Sequence, residues 1–278
     1  MHTRFSNQLI FDLEAVLSPP RFSSYLRETA GDRQRAMDLY CWNTDVSAAF
    51  YVMLQYCELS IRNGAVEAIE AVFGGNWHLN RGFVYTLPAP ARGYRPREDL
   101  TDCAAKLPTA GKVVAELKFA FWRFLFLKGQ QSRIWDPHLA ATFPGYDKAL
   151  TLSEARAKLF DDIDEVRKLR NRIAHHEPIF ARDLHEDHQR IRRIIEWRRP
   201  DVAAWLDDTQ QVTALLSRRP LTNSVLSRRN HSCSAAMGMS ISTSATGFSR
   251  PASCSASISG RSRRVSKPNC TRKPGVVT

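Results

Sequence analysis

One segment dominates what this chain can fold into. In GDRQRAMDLYCWNTDVSAAFYVMLQYCELSIRNGAVEAIEAVFG, residues 31–74, apolar side chains recur every three or four positions. Leu39, Trp42, Val46, Ala49, Phe50, Met53, Leu54, Cys57, Ile61, Ala65, Ala68, Ile69 and Val72 fall on one broad stripe. That spacing is the period of an α-helix with a buried side. Gly74-Gly75 supplies its stop. The stripe commits the chain to one very long helix and to a mostly helical body.

The same signals extend down the chain. GKVVAELKFAFWRFLF, from Gly111, reads as a second helix, apolar on most sides and hence central. The segment from Ser153 to Glu177 reads as a third, with Ser153 at its N-cap and Leu159, Ile163, Val166, Leu169 and Ile173 as its buried side. Pro178 ends it, because a proline disfavours helix in the residue before it. LHEDHQRIRRIIEWRR and DVAAWLDDTQQVTALLS supply two more, separated at Pro200. Leu79 to Leu107, with Pro88, Pro90 and Pro96, reads as a loop. No alternating β-branched run suggests a sheet, and no internal repeat is visible.

Charge needs locating before it is used. The formal net charge is +12, which invites a nucleic-acid reading. From Ser217 onward there are 11 Lys plus Arg and no acid, which leaves the preceding body at about +1. Any RNA or DNA site in the body must therefore be a local patch. The tail, residues 221–278, is rich in Ser and Arg and too poor in apolar residues to offset its chain entropy. It reads as a basic RNA-binding arm, as a solvated disordered segment, or as translation in a shifted frame or past the natural stop. The six cysteines form no CxxC pair, so neither a disulfide framework nor a zinc site is indicated. The N-terminus is polar and no signal peptide. The apolar run FAFWRFLFL is half of the roughly 18 residues a membrane span requires, and it contains Arg123. These readings place the protein in the cytoplasm, away from membranes.

Chemistry concentrates in LRNRIAHHEPIF, Leu169 to Phe180. On a helix Asn171 and His175 share a face, and Arg172 and His176 share the next. Arg170 lies about 140° around the axis from His175, so the two converge only if the arginine reaches round or a second molecule contributes. Together these side chains offer a permanent cation, an orienting amide and imidazoles that exchange protons near neutral pH. That kit suffices to cleave an RNA phosphodiester without a metal or other cofactor. A carboxylate cage for Mg²⁺ is absent from the segment. The plain alternative is that cations collect at a helix C-terminus because they face unpaired carbonyls.

Other candidates are weaker. Glu58 and Arg62, four apart, predict an intrahelical ion pair; alternatively Arg62 and Asn63 line the same cleft and grip phosphate. His185, Glu186 and His188 lack further ligands and read as a solvated helix face. Arg190, Arg192, Arg193, Arg198 and Arg199 surround Trp197, and most of them should point to solvent. Arg192, Arg193 and Arg198 could then hold an RNA backbone, or form an ordinary surface balanced by Glu186, Asp187 and Glu196. Trp42, Trp77, Trp122, Trp135 and Trp205 read as core or interface.

The spacing Arg170-Asn171-x-x-x-His175 resembles the Arg-x4–6-His signature of HEPN domains. The longer string is similar to the Abi-like proteins of bacterial abortive-infection systems, typified by AbiD and AbiF. The long first helix, with its Trp42-Asn43 start, Glu58…Arg62-Asn63 and Gly-Gly-x-Trp ending, resembles that group too, as do VVAELKFAFWRFLF and IWDPHLAATFP. The resemblance covers about Phe11 to Pro220. It implies an all-α, HEPN-like helical bundle over residues 1–220 and stops where the tail starts, residues 221–278 being expected as a disordered basic tail on composition alone. It further implies a homodimer whose paired motifs form a composite cleft that cuts RNA, as a toxin in phage defence. Arg170, Asn171 and His175 are then the catalytic candidates, with His176 and Arg172 as additional ones. A small regulatory RNA is a further implied partner. The rival expectation is a non-catalytic RNA-binding or dimer-scaffold module.

Overall fold

The computed structural model describes residues 5–220, and the expectations for residues 221–278 lie outside the described residues. The described chain is all-helical, with no strand. The first helix, α1 (Asn7–Leu17), starts where the Ser6 hydroxyl accepts the Leu9 N–H. It is followed by α2 (Pro19–Glu28). The long helix α3 (Arg33–Phe73) runs 41 residues, about 60 Å at 1.5 Å per residue. The Asp32 carboxylate caps its start, and Gly74 at φ 78°, the stop the sequence predicts, ends it. Val46, Phe50, Met53, Cys57, Ile61 and Ala65 are fully buried along its inner side.

The stretch read as a loop contains α4 (Arg81–Val84) and α5 (Pro96–Lys106). Pro96 sits at the start of α5, where a missing N–H costs nothing, and Glu98 and Asp99 face the positive end of its dipole. The proline that suggested a break is thus a helix start. The central helix expected from Gly111 divides into α6 (Ala110–Glu116) and α7 (Phe119–Leu125), with Leu117 and Lys118 extended between them. The break allows Val113, Leu117, Phe121, Trp122 and Leu125 all to reach the core, which one straight helix could not do. A π-helical turn (Gln131–Trp135) leads into α8 (Asp136–Thr142).

The motif helix is α9 (Leu152–Ala174). Its N-cap is Thr151, two residues earlier than expected. The Thr151 hydroxyl accepts the Glu154 N–H while the Glu154 carboxylate accepts the Thr151 N–H, a reciprocal capping box. Leu159, Ile163, Val166 and Leu169 are buried as predicted, whereas Ile173 is only partly so. Then come α10 (Leu184–Arg198), α11 (Pro200–Thr209) and α12 (Val212–Ser217). The last two were expected as one helix. Gln210 is extended between them, and its side-chain oxygen accepts the Thr213 N–H, starting a new helix.

The core forms around α3, against which α2, α7, α8, α9, α10 and α12 pack. Gly64 allows a close approach on α3: a Cβ there would sit 2.9 Å from the buried Phe143 ring. Trp42, Trp77, Trp122 and Trp135 are core residues, and Trp42 Nε1 donates to the Leu215 carbonyl at 2.8 Å, tying α12 to α3. Trp205 is half exposed and stands edge-on to Tyr56. No described helix is long and apolar enough to cross a membrane.

Candidate functional site

The end of α9 sets the geometry of the motif. Pro178 has no N–H to continue the helix, and the backbone closes on itself before it. His175 occupies the cap position and donates its N–H to the Asn171 carbonyl at 3.0 Å, which keeps it on the Asn171 side. His176 adopts left-handed backbone, φ 54°. Its N–H donates to Ile173 and the Glu177 N–H donates back to Arg172 at 2.8 Å, the pair of reversed bonds that closes many helices. The shared face predicted for Arg172 and His176 therefore does not form. Arg172 instead donates to the Pro178 carbonyl at 3.1 Å and lies 3.7 Å from Glu177.

The segment leaving this turn is pinned from α3. The buried Asn43 side-chain oxygen accepts the N–H groups of Ile179 and Phe180, at 2.8 and 3.2 Å. Sequence reasoning assigned Asn43 no role. Its signal was a single amide within the apolar stripe, beside Trp42.

Further along α3, Glu58 sits between two cations. One oxygen accepts from Arg62 Nη2 at 2.7 Å, and the other lies 3.8 Å from Arg170 Nε. The intrahelical pair predicted for Glu58 and Arg62 is present, and the same carboxylate brings Arg62 beside Arg170. Two Arg-Asn steps from distant parts of the sequence thus meet at one surface, Arg62-Asn63 on α3 and Arg170-Asn171 on α9. Asn63, His175 and His176 are exposed; Arg170 and Asn171 are half-buried. The side chains of Asn171, His175 and His176 form no hydrogen bond among the described residues. The arrangement offers two guanidiniums held in place, an amide and an imidazole whose nitrogens remain available for proton transfer.

The arginines of α10 lie elsewhere and are occupied. Arg193 donates to both oxygens of the buried Asp162, at 2.7 and 2.9 Å. Arg192 holds Asp207 and Glu196 at 2.7 and 2.8 Å. Arg198 is buried, bound to the Thr142 carbonyl and to Glu67. Arg190 reaches Asp187 at 3.3 Å. Of this group only Arg199 is exposed, so the expectation that most point to solvent is corrected. Arg192, Arg193 and Arg198 link α10 to α9, α11, α8 and α3, and binding phosphate there would require breaking those pairs.

The reading of His185, Glu186 and His188 as a solvated face holds for the exposed His185 and the partly exposed Glu186 and is corrected for His188. His188 is buried beside the buried Asp187, and burial holds its imidazole below its ordinary pKa. Its Nε2 is buried without a hydrogen-bond partner. Among the described residues, no three His, Cys, Asp or Glu side chains gather closely enough to hold a metal ion. No family model, no curated protein and no solved structure matches this chain.

Proposed function

We propose that this protein is a metal-independent endoribonuclease of HEPN type, an RNA-cleaving toxin of abortive-infection defence, working as a homodimer in the cytoplasm. The observation that carries the reading is the meeting of Arg62 and Arg170 across Glu58, beside the half-buried Asn171 and the exposed His175 at the end of α9. The His175 imidazole takes the proton from a ribose 2′-OH, and the 2′ oxygen attacks the adjacent phosphorus. The guanidinium of Arg170 neutralises charge building on the phosphorane. Asn171 orients the phosphate. The 5′ oxygen leaves with the proton that the His175 imidazolium returns to it, and the 2′,3′-cyclic phosphate remains.

Dimerisation fits the apolar side chains that stay exposed on α3 and α11, Tyr51, Val52 and Leu59 on the one and Val202 and Trp205 on the other, with Trp205 edge-on to Tyr56 of α3. Exposed apolar side chains of this kind are costly to leave in water and suit a second copy. A partner motif would also relieve the angular separation of Arg170 and His175. A small structured RNA restraining the enzyme belongs to the same proposal.

The purified full chain is expected to cut single-stranded RNA in EDTA and to leave 2′,3′-cyclic ends. His175→Ala should lower cutting by at least about 100-fold, with RNA affinity within a few-fold of wild type. The second reading, a binding module without catalysis, draws on the closed turn and the Glu58 pairing, which also suit a site that only grips. Toxicity and RNA binding both untouched in His175→Ala would establish that second reading.

A further inference from the structure

A concave surface lies beside the motif. The joint between α1 and α2 and the turn that closes α9 enclose an open recess, with Ser18, Arg21 and Ser24 on one wall and His176, Glu177 and Pro178 on the other. Arg21 is exposed and has no carboxylate partner among the described residues, unlike Arg172, Arg182, Arg190, Arg192 and Arg193. Pro19 and Pro20 open α2 and deprive its start of two N–H groups, so anion recognition there falls to side chains. The Ser18 hydroxyl makes no capping bond and keeps its proton to donate. The Ser24 hydroxyl already donates to the Arg21 carbonyl and can only accept, as from a sugar hydroxyl. Glu177, the one acid on the wall, lies 3.7 Å from Arg172, which offsets its charge.

We propose that this recess seats the nucleotide flanking the cleaved linkage in single-stranded RNA. Arg21 and the Ser18 hydroxyl hold its phosphate, Ser24 accepts from its ribose, and the sugar rests on the rings of Pro20 and Pro178. The proposal rests on the ribonuclease reading above and adds a phosphate-binding residue from a part of the chain outside the Arg/His motif. A guanidinium that contacts one phosphate contributes affinity that falls with salt in proportion to that single contact.

The test uses the full chain carrying His175→Ala, so that a short fluorescein-labelled single-stranded oligoribonucleotide stays intact, with binding followed by anisotropy across a salt series. Arg21→Gln should weaken binding about tenfold at low salt and reduce the slope of log affinity against log salt by about 0.7. Arg21→Lys should recover part of the loss. Arg27→Gln, on the same helix and not lining the recess, should bind like the parent. If Arg21→Gln binds like the parent while the wild type cuts RNA, the recess is not a subsite and the ribonuclease reading stands. An equal loss from Arg27→Gln would assign the effect to net charge and overturn the proposal. A parent protein that binds no RNA overturns both.

Discussion

His176 holds a side chain on left-handed backbone, where glycine is the usual occupant. The conformation costs a non-glycine residue about 1 kcal/mol. His176→Gly is therefore expected to stabilise the fold by about that amount, raising the melting temperature by roughly 2–4 °C, as thermal unfolding would show. An unchanged or lower melting temperature would mean that the imidazole makes up the strain through contacts of its own. Glu58 illustrates the opposite case, a residue whose local role was readable and whose wider one was not. Its pairing with Arg62 follows from helical spacing alone. Its approach to Arg170 depends on how α3 and α9 lie together, which no spacing within one helix reports.

At the level of elements, starts and stops decided more than apolar pattern did. The Thr151–Glu154 box fixes where α9 begins, and the turn before Pro178 fixes where it ends. The motif sits at the exposed end of a helix that is anchored at both termini, by this box and by Asn43. Thr151→Ala removes one half of the box and is expected to cost about 1 kcal/mol, measurable by urea unfolding. Ser153→Ala, at the position sequence reading had chosen, should change stability by less than half as much. The reverse ranking would show that the capping box is not what starts the helix. Where the sequence suggested single helices, at Gly111–Phe126 and Asp201–Ser217, the chain breaks instead. Periodicity can register that residues are apolar, but not that one straight rod would leave some of them facing water.

Across the whole molecule, charge is arranged to hold helices together. Burial pushes the Asp164 carboxyl up, but hydrogen bonds from Lys168 and Arg167 and the charge of Arg123 outweigh it and hold it below its usual range. A hydrogen bond from Lys168, with a further one from Arg182, does the same for Glu165. His188 is depressed too, by burial. All three groups bind protons more readily in the unfolded chain, so each contributes stability that is present at high pH and lost as pH falls. For His188 the loss begins below its ordinary pKa of 6.5. For Asp164 and Glu165 it begins below about pH 4.5. Unfolding free energy measured against pH should thus decline in two stages, and His188→Leu should remove the upper one. A persisting upper stage in that variant would assign it to another histidine.

The helical class, the full extent of α3, the glycine that ends it and the Arg-Asn-x-x-x-His string were determined by the sequence itself. Each is a property of residues within a few turns of one another, and local periodicity and backbone chemistry suffice to read it. Tertiary structure alone decided which cations remain available. Arg193 finds Asp162 from 31 positions away and Arg198 finds Glu67 from 131. It also turned His188 inward and set Arg62 beside Arg170. Ion pairing and burial depend on which surfaces are pressed together, and that is settled only when the helices pack.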